Sequence, residues 1–434
     1  MSAILLGKTV ETAAAIGFGG SAAVAAGGRD ILYTQDAGLV TVAGTGAGKG
    51  VSHVVPAALS WPGSLIVIDI KGEIAEIAAA RRRAMGQKVV VLDPFGVSRF
   101  GKLGHGFNPL DLIGANAPTA IDDTLSLADQ FRSDKGSLSD PFWDDRARDI
   151  IAGAMLFVAT HAKGEQRSLA TVHRIFTGGE DKLAAALAGM KASAAHGGYL
   201  NAVVEQVLAM PDKTWGSVLT TIHSQLEFLA SPVVVRSVSA ATVTPRAITE
   251  NDPISLFLVL PPERLTSHRR LLRLWLATAL TSMTRRRRIP AMETLVLADE
   301  AAQLGRMDLL LTAASLMRGY GVRLWTFWQS LGQLETLYGD AGQSFIDNAG
   351  AVSAFGVANA ASAGRVAELT GWAGPLLGLP VDRQVLALRG QAPFLARRVS
   401  YLEEPRFRGQ YDANPMHRFS RSGRKPHASR RDCA

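Results

Sequence analysis

Cysteine is almost absent from this chain of 434 residues, and its single copy, Cys433, lies next to the last residue. A disulfide framework, a cysteine-based zinc site and a catalytic cysteine pair all need a second cysteine, so all three are excluded. The nine histidines show no spacing typical of metal ligands. This composition fits a protein of a reducing, cytoplasmic compartment.

Long hydrophobic runs are also missing. The nearest candidate is residues 13–26, a short stretch made largely of Ala and Gly. A membrane-spanning helix needs roughly 20 strongly apolar residues, and a secretory signal needs a charged start and a cleavage site. We therefore expect no transmembrane helix in this sequence.

What is present is a large apolar fraction and an excess of positive charge. Apolar residues make up 47% of the chain, which indicates a globular protein rather than a disordered one. The formal net charge is +8 and the sequence pI is about 9.7. Such a charge favours anionic partners, nucleic acid first, but by itself it does not separate a nucleic-acid-binding protein from other basic proteins.

Continuous runs of Val, Ile and Leu alternate with helical segments over two separate parts of the chain. The predicted strands are residues 38–43, 65–70, 88–93, 254–260, 294–298, 322–328, 351–357 and 384–388. Apolar strands of this kind, separated by helices, indicate a parallel sheet covered on both faces. The fold class predicted from this pattern is α/β.

Helical periodicity dominates the part of the chain between the two sets of strands. Ile151, Met155 and Val158, for example, are spaced i, i+4 and i+7, which places them on one helix face. We therefore predict an all-α domain inserted into the α/β domain. The predicted divisions are a small-residue segment at 1–30, a discontinuous α/β domain at 31–116 and 247–410, the all-α insert at 117–246 and a basic disordered tail at 411–434.

A glycine-rich loop, AGTGAGKG at residues 43–50, stands between the first predicted strand and an apolar helix. Glycines let such a loop wrap with its backbone N–H groups facing a phosphate, and the following helix presents its positive end to the same anion. The lysine would reach the β- and γ-phosphates. The predicted nucleotide-binding residues are Gly44, Thr45, Gly46, Ala47, Gly48, Lys49, Gly50 and Val51.

This loop departs from the strict P-loop pattern, G-x-x-x-x-G-K-[ST], at two positions. Ala43 replaces the first glycine, and Gly50 replaces the Ser or Thr whose hydroxyl normally binds Mg²⁺. We expect Mg²⁺ to rest instead on phosphates, water and Asp299. A glycine-rich turn without a ligand is the alternative, which the flanking strand and helix make less favourable.

Two acids follow the predicted strand at 294–298, as in a Walker B motif. Asp299 is predicted to hold Mg²⁺, and Glu300 to polarise the attacking water as general base. Gln329 follows the strand at 322–328, at the edge where a parallel sheet binds ligands, and could sense the γ-phosphate. The structural alternatives are solvated acids at a strand end and a polar cap. Asp69 lies at the end of the strand predicted at 65–70 and has two candidate roles, a cap of the next helix or a residue of the same crevice.

Arginines provide further candidates with less support. The runs at 81–83 and 285–288 could contact DNA, but each also lies at a predicted helix end, where cations are favoured in any case. ATPases that form rings often supply an arginine to a neighbouring subunit's site. Arg318 and Arg323 are the candidates for that role.

Taken together, several stretches resemble the type IV secretion coupling proteins, the TraG-type ATPases of conjugal transfer. The stretches are TVAGTGAGKGVSHVVPAALSWPGSLIVIDIKGE at 41–73, FNPLDLI at 107–113, FWDDRARDIIAG at 142–153, LADEAAQLGR at 297–306 with GYGVRLWTFWQSLGQLETLYG at 319–339, and QVLALRGQAPFLARRVSYLEEPRFRG at 384–409. Because the family's loop often has Gly after the Lys, Gly50 fits the family pattern.

The resemblance implies a RecA-like P-loop domain with an all-α insert, ATP and Mg²⁺ as cofactors, and a hexameric ring that pumps substrate into a secretion channel. The implied partners are DNA, single-stranded and bound to a relaxase, together with relaxase or effector proteins and channel proteins. The family usually begins with two transmembrane helices, which this sequence lacks. We therefore expect it to reach the cytoplasmic face of the inner membrane through partner proteins.

Two other functions stay open at this stage. One is a receptor that binds ATP and cargo with little turnover, which Gly50 favours and the Asp299–Glu300 pair opposes. The other is an FtsK-like DNA translocase, against which the large helical insert argues.

Overall fold

An eleven-stranded sheet forms the centre of the protein in the computed structural model, which describes residues 2–10, 28–132, 141–249, 252–414 and 416. The strands are β1 (Ile4–Thr9), β2 (Asp30–Tyr33), β3 (Gly38–Ala43), β4 (Leu65–Asp69), β5 (Lys88–Leu92), β6 (Ile254–Val259), β7 (Thr294–Ala298), β8 (Val322–Trp328), β9 (Ala349–Phe355), β10 (Arg383–Leu388) and β11 (Phe394–Arg397). Their order across the sheet is β2-β1-β11-β10-β9-β3-β8-β7-β4-β6-β5.

Seven neighbouring strands, from β9 to β5, are parallel, and the remaining pairings are antiparallel. Strands β4, β6, β7 and β8 are buried along their whole length. Continuous burial explains why their sequences are mostly apolar along the whole strand rather than only at alternate positions. The predicted parallel α/β sheet is therefore present.

Fifteen α-helices accompany the sheet in the described residues. They are α1 (Val55–Ser60), α2 (Glu73–Ala84), α3 (Ala120–Ala128), α4 (Pro141–His161), α5 (Leu169–Thr177), α6 (Glu180–Ala192), α7 (Tyr199–Leu208), α8 (Asp212–Leu226), α9 (Pro232–Ser239), α10 (Pro245–Thr249), α11 (Leu265–Thr284), α12 (Asp308–Leu316), α13 (Leu331–Tyr338), α14 (Gln343–Asp347) and α15 (Ala360–Thr370). Helices α3 to α10 follow one another between β5 and β6, where the sequence pattern predicts a helical insert.

The helical region is packed around α4. Ile151, Met155 and Val158 are at most 2% exposed, as their helical spacing predicts. An ion pair between Asp123 of α3 and Arg285, just beyond α11, connects this region to the helices beside the sheet. Trp275 of α11 is fully buried and donates a hydrogen bond of 3.2 Å to the carbonyl of Phe107. Apolar burial and buried polar contacts thus join the two parts of the chain.

Both ends of the chain contribute more to the fold than the sequence pattern predicts. Residues 1–30 were expected to be a separate segment, but Ile4–Thr9 is a strand of the sheet, paired with β11 and β2. The predicted tail at 411–434 falls largely outside the described residues. Its first part is nevertheless packed: the ring of Tyr411 contacts that of Tyr401 at 4.8 Å, and the amide of Asp412 donates to the carbonyl of Ile77.

Residues 13–26 lie outside the described part of the chain. Within that part, no single helix has the length and apolar character needed to cross a bilayer. Two consecutive helices, Asp212–Ala230 and Pro232–Ser239, are long and apolar enough only when taken together, and they are bent by 85° relative to each other.

Candidate nucleotide-binding site

The predicted site residues follow neighbouring strands at a single edge of the sheet. Strand β3 lies beside β8 with Val42 opposite Trp328, and β8 lies beside β7. All three strands are parallel, so the segments that follow them emerge at the same edge. The glycine-rich loop, the Asp299–Glu300 pair and Gln329 therefore lie close together.

The glycine-rich loop has the backbone that a phosphate-binding loop requires. Gly46 and Gly48 have φ angles of 75° and 88°, a region that residues with a side chain rarely adopt. The amide of Ala47 donates to the carbonyl of Gly44 at 3.1 Å, which closes the turn. The chain then enters a π-helical turn, Gly50–Val54, that continues into α1. The helix start thus follows the loop directly, as the sequence predicts.

Four predicted residues form one hydrogen-bonded network. The ammonium group of Lys49 forms an ion pair with Oε1 of Glu300. The side-chain amide of Gln329 donates to Oε2 of Glu300 at 2.8 Å, and the hydroxyl of Thr45 donates to Oε1 of Gln329 at 3.0 Å. The side chains of Lys49 and Glu300 are only 11% and 22% exposed, so solvent screens this ion pair weakly.

Glu300 has a strained backbone. Its φ and ψ are 59° and 51°, and the only other non-glycine residue with positive φ among the described residues is His196. Holding a residue with a side chain there costs on the order of 1–3 kcal/mol, and such strain concentrates at functional sites. The conformation turns the chain sharply after Asp299 and leaves the Glu300 carboxylate beside the glycine-rich loop.

Asp299 carries a buried oxygen that lacks a partner. Among the described residues, no group donates a hydrogen bond to its Oδ1. Burial is the main cause that raises the pKa of Asp299 to about 6; the charge of Lys49 opposes the rise, and that of Glu300 contributes to it. An anionic oxygen without a donor is suited to a cation, so Asp299 fits the predicted contact with Mg²⁺. The described residues contain no group of three or more His, Cys, Asp or Glu able to hold a metal. Phosphates and water would therefore supply the other ligands.

Asp69 ends the strand next to Asp299. It is 2% exposed, and its Oδ2 accepts a hydrogen bond of 2.8 Å from the amide of Ala75 in the first turn of α2. Burial is the main cause that raises the pKa of Asp69 to about 7; the hydrogen bond from Ala75 opposes the rise, and the charge of Asp299 contributes to it. Of its two predicted roles, the contact with α2 favours the structural one.

The sequence pattern did not single out Arg398, which contacts the glycine-rich loop. This residue follows β11, and its Nη1 donates to the carbonyl of Ala47 at 2.5 Å. Its guanidinium also lies 4.2 Å from the ring centre of Phe355, at the end of β9. The only sequence feature that includes Arg398 is the stretch at 384–409 used for the family resemblance.

The two arginines proposed to act in trans lie elsewhere. Arg318 precedes β8, at the opposite edge of the sheet from the glycine-rich loop, with an exposed side chain 3.6 Å from Asp36. It does not join the network of Lys49 within its own chain. Arg323 is 2% exposed and ion-paired with Glu293. The prediction that Arg323 acts at a neighbouring subunit's site is therefore wrong.

The two basic runs are only partly available to DNA. Arg82 is fully buried and donates to several backbone carbonyls, and so the prediction of DNA contact is wrong for this residue.

In the second run, Arg285 is ion-paired with Asp123, and Arg286 donates to the carbonyls of Tyr320 and Ile248. The exposed members of the two runs that remain candidates are Arg83, Arg287 and Arg288.

A parallel sheet whose first central strand leads into a glycine-rich loop and helix, beside a strand that ends in acids, defines a P-loop α/β fold. The model of the family described as Type IV secretory system Conjugative DNA transfer matches residues 5–373. The chain therefore belongs to this family of type IV secretion coupling proteins, and the resemblance seen in the sequence is confirmed.

Curated relatives with similar sequences carry matching descriptions. The conjugal transfer protein TraG of Agrobacterium fabrum is 28% identical over 340 residues, covering 76% of this chain and 50% of the relative. The type IV secretion system-coupling protein VirD4 of Bartonella henselae is 27% identical over 342 residues, covering 77% and 52%. The chain thus spans about half the length of these relatives.

Solved structures support the fold. The bacterial conjugative coupling protein TrwBdeltaN70, in a trigonal form with sulphate, matches with a TM-score of 0.66 at 14% identity, covering 83% of this chain and 85% of that one. TrwB in complex with ADP and Mg²⁺ matches with a TM-score of 0.63 at 14% identity, covering 84% and 85%. The predicted P-loop fold with a mostly parallel sheet and a helical region is confirmed.

Proposed function

We propose that this chain is an ATP-hydrolysing motor that drives DNA, or a nucleoprotein or effector substrate, into a type IV secretion channel. The observation that carries the proposal is the contact between Lys49 of the glycine-rich loop and Glu300, which follows β7. A cation for phosphate and a carboxylate for water, held at one point beside this loop, are the two groups that hydrolysis of a nucleoside triphosphate needs.

Each residue of the site has a defined task in this proposal. The loop from Gly44 to Val51 binds the phosphates through backbone N–H groups, and Lys49 neutralises the β- and γ-phosphates. Asp299 holds Mg²⁺ through its unpartnered oxygen. Glu300 accepts the proton of the attacking water, and Gln329 orients Glu300 through its hydrogen bond. Bound ATP supplies the phosphoanhydride bond whose cleavage releases the free energy.

The position of Arg318 is compatible with a role in a ring. An arginine that acts on a neighbouring subunit must be exposed and must lie away from the site of its own chain, and Arg318 meets both conditions. We infer a homo-hexamer in which Arg318 approaches the triphosphate of the adjacent copy and stabilises the charge that develops there.

The partners follow from the family. Relatives are described as conjugal transfer and coupling proteins, so we propose single-stranded, relaxase-bound DNA or effector proteins as substrates and channel proteins as the recipients. This function requires the protein to act at the cytoplasmic face of the inner membrane. The exposed Arg287 and Arg288 are candidate DNA contacts, because motors on nucleic acid need cations against its phosphates.

A receptor that binds ATP without much turnover is the second candidate, and the missing hydroxyl at Gly50 is the observation that favours it. DNA-stimulated ATP hydrolysis separates the two functions when the wild type is compared with Lys49→Ala and Glu300→Gln. The motor requires both variants to lose at least about 100-fold in rate. Equal, slow hydrolysis by all three proteins, combined with tight ATP binding by the wild type, would establish the receptor instead.

A further inference from the structure

Arg398 ties the glycine-rich loop to a strand 351 positions away in the sequence. Its Nη1 donates to the carbonyl of Ala47 at 2.5 Å and approaches the hydroxyl of Ser52 at 3.4 Å. That hydroxyl in turn donates to the carbonyl of Gly48 at 2.9 Å. Two consecutive carbonyls of the loop are therefore held by side chains, one of them by Arg398 directly.

The contact with Ala47 determines the direction of a phosphate donor. A trans peptide unit is planar, and its C=O and N–H bonds point in opposite directions. When Arg398 holds the Ala47 carbonyl on the β11 side, the N–H of Gly48 in the same peptide unit must face the other way. In a phosphate-binding loop the N–H groups have to face the ligand, so the arginine orients one of them.

The surroundings of Arg398 restrict its own movement. Its guanidinium packs on the ring of Phe355, which is 1% exposed, and its Nε is buried without a hydrogen-bond partner among the described residues. A Cβ placed on Gly48 would lie 3.2 Å from Nη1 of Arg398. On the β9 side, a Cβ on Gly356 would lie 2.3 Å from that of Ala47. The loop is thus held between the end of β9 and the arginine that follows β11.

We propose that Arg398 is a positioning residue of the nucleotide site: it holds the Ala47–Gly48 peptide so that its N–H faces the phosphates, and it adds a second positive charge to the glycine-rich loop. The inference rests on the proposed function, because it concerns binding of a nucleoside di- or triphosphate. Burial lowers the pKa of Arg398, and the charge of Asp382 offsets this effect only in part. The charge of Arg398 is therefore weakly compensated and acts on an anion in the loop.

The test measures dissociation constants for ADP and ATP, together with thermal unfolding of the nucleotide-free protein. Arg398→Met keeps the length of the side chain but removes its donors and its charge. We expect it to weaken ADP and ATP binding equally, each by about tenfold, since a charged hydrogen bond contributes about 1.5–3 kcal/mol. Arg398→Lys keeps the charge and should recover part of the affinity. The matched control is Arg408→Met, a change at an exposed arginine of the same terminal region, which should leave both constants unchanged.

Each outcome decides the inference. Affinities of Arg398→Met within twofold of wild type would overturn it, as would a lower melting temperature with unchanged binding, because both outcomes indicate a purely structural arginine. Weaker binding of ATP alone would also overturn it and would indicate a direct contact with the γ-phosphate. Lys49→Ala separates the two proposals: when it abolishes binding while the affinities of Arg398→Met stay within twofold of wild type, only the role of Arg398 fails. A wild type that binds neither nucleotide would refute both.

Discussion

Glu300 forms an ion pair with Lys49, the residue expected to bind the terminal phosphates. The same carboxylate accepts a hydrogen bond from Gln329. In the proposed function, the Glu300 carboxylate therefore lies in the place beside Lys49 that a phosphate would take. Binding of a triphosphate has to replace the carboxylate with phosphate oxygen, which leaves Glu300 free to act on water.

Glu300→Gln should separate binding from hydrolysis. The rate of ATP hydrolysis is expected to fall by at least about 100-fold because the general base is lost. ATP affinity should stay the same or increase, since the amide no longer competes for Lys49 with a full charge. Turnover and the dissociation constant of ATP are measured in parallel, with Glu335→Gln, a change of an exposed acid paired with Arg365, as control. Retention of wild-type turnover would remove Glu300 from the mechanism.

Gly50→Ser should restore the hydroxyl that the loop lacks. A Cβ on Gly50 meets no atom within 4 Å, so there is space for a serine side chain. Because Gly50 has a helical backbone, we expect the substitution to change the free energy of unfolding by less than about 1 kcal/mol. The added oxygen should lower, several-fold, the Mg²⁺ concentration that half-saturates nucleotide binding. Gly48→Ala serves as the contrast, because its φ of 88° and its nearness to Arg398 predict loss of binding. An unchanged Mg²⁺ requirement in Gly50→Ser would show that Mg²⁺ does not approach this position.

Burial of His53 should make the folded protein less stable in acid. His53 is fully buried between Phe355 and Trp325, and burial, assisted by Arg398, lowers its pKa from 6.5 to about 3. Between these values the unfolded chain binds a proton that the folded protein does not. Its contribution to stability is therefore complete above pH 6.5 and is lost as the pH falls toward 3, by about 1.4 kcal/mol per pH unit.

Chemical denaturation at pH 7 and pH 5 tests this dependence. The free energy of unfolding of the wild type should fall by about 2 kcal/mol more than that of His53→Phe over this interval. For each protein, the free energy of unfolding at pH 5 is subtracted from that at pH 7. Any effect of the ring replacement on packing is the same at both pH values and therefore cancels. Identical pH dependence in the two proteins would mean that His53 takes up its proton in the folded state.

Arg82→Met should destabilise the folded protein without changing its affinity for DNA. Arg82 donates to the carbonyl of Gly63 and the side chain of Gln87, both at 2.6 Å, and to the hydroxyl of Ser255 at 2.8 Å. Removing the arginine breaks several buried hydrogen bonds made by a charged donor, at a cost of about 3 kcal/mol or more.

The neighbouring Arg83 is the matched control. It is exposed and lies 5.1 Å from the ring centre of Phe100, so Arg83→Met should cost less than about 1 kcal/mol. Urea denaturation compares the two variants, and DNA affinity is measured on the folded proteins. Equal destabilisation by the two changes would contradict the internal role of Arg82, as would a loss of DNA affinity found only in Arg82→Met.

Much of the site could be predicted because its parts are short and continuous in the sequence. Gly46 and Gly48 are required by positive φ angles, Lys49 follows them at once, and Asp299 and Glu300 directly end an apolar strand. Buried parallel strands are mostly apolar on both faces, which made β3, β4, β7 and β8 recognisable. These features depend on local backbone preferences and on burial, and residues close together in the sequence are enough to reveal both.

Strands at the margin of the sheet were harder to predict. The strand Ile4–Thr9 contains Gly7 and Lys8 and is followed by small residues, so its apolar pattern is short. Its place in the sheet depends on pairing with Phe394–Arg397, almost four hundred residues away. A partner so distant leaves no periodicity in the sequence.

The sequence by itself determined the α/β class, the phosphate-binding loop, the acids that face it and the position of the helical region, because each follows from local periodicity or a local backbone requirement. Only the tertiary structure decided that Arg82 lies inside, that Arg323 is buried against Glu293 and that Arg398 holds the carbonyl of Ala47. The environment of a long cationic side chain depends on which strands become neighbours. The order of the strands in the sheet sets that environment, and it brings together residues that are hundreds of positions apart.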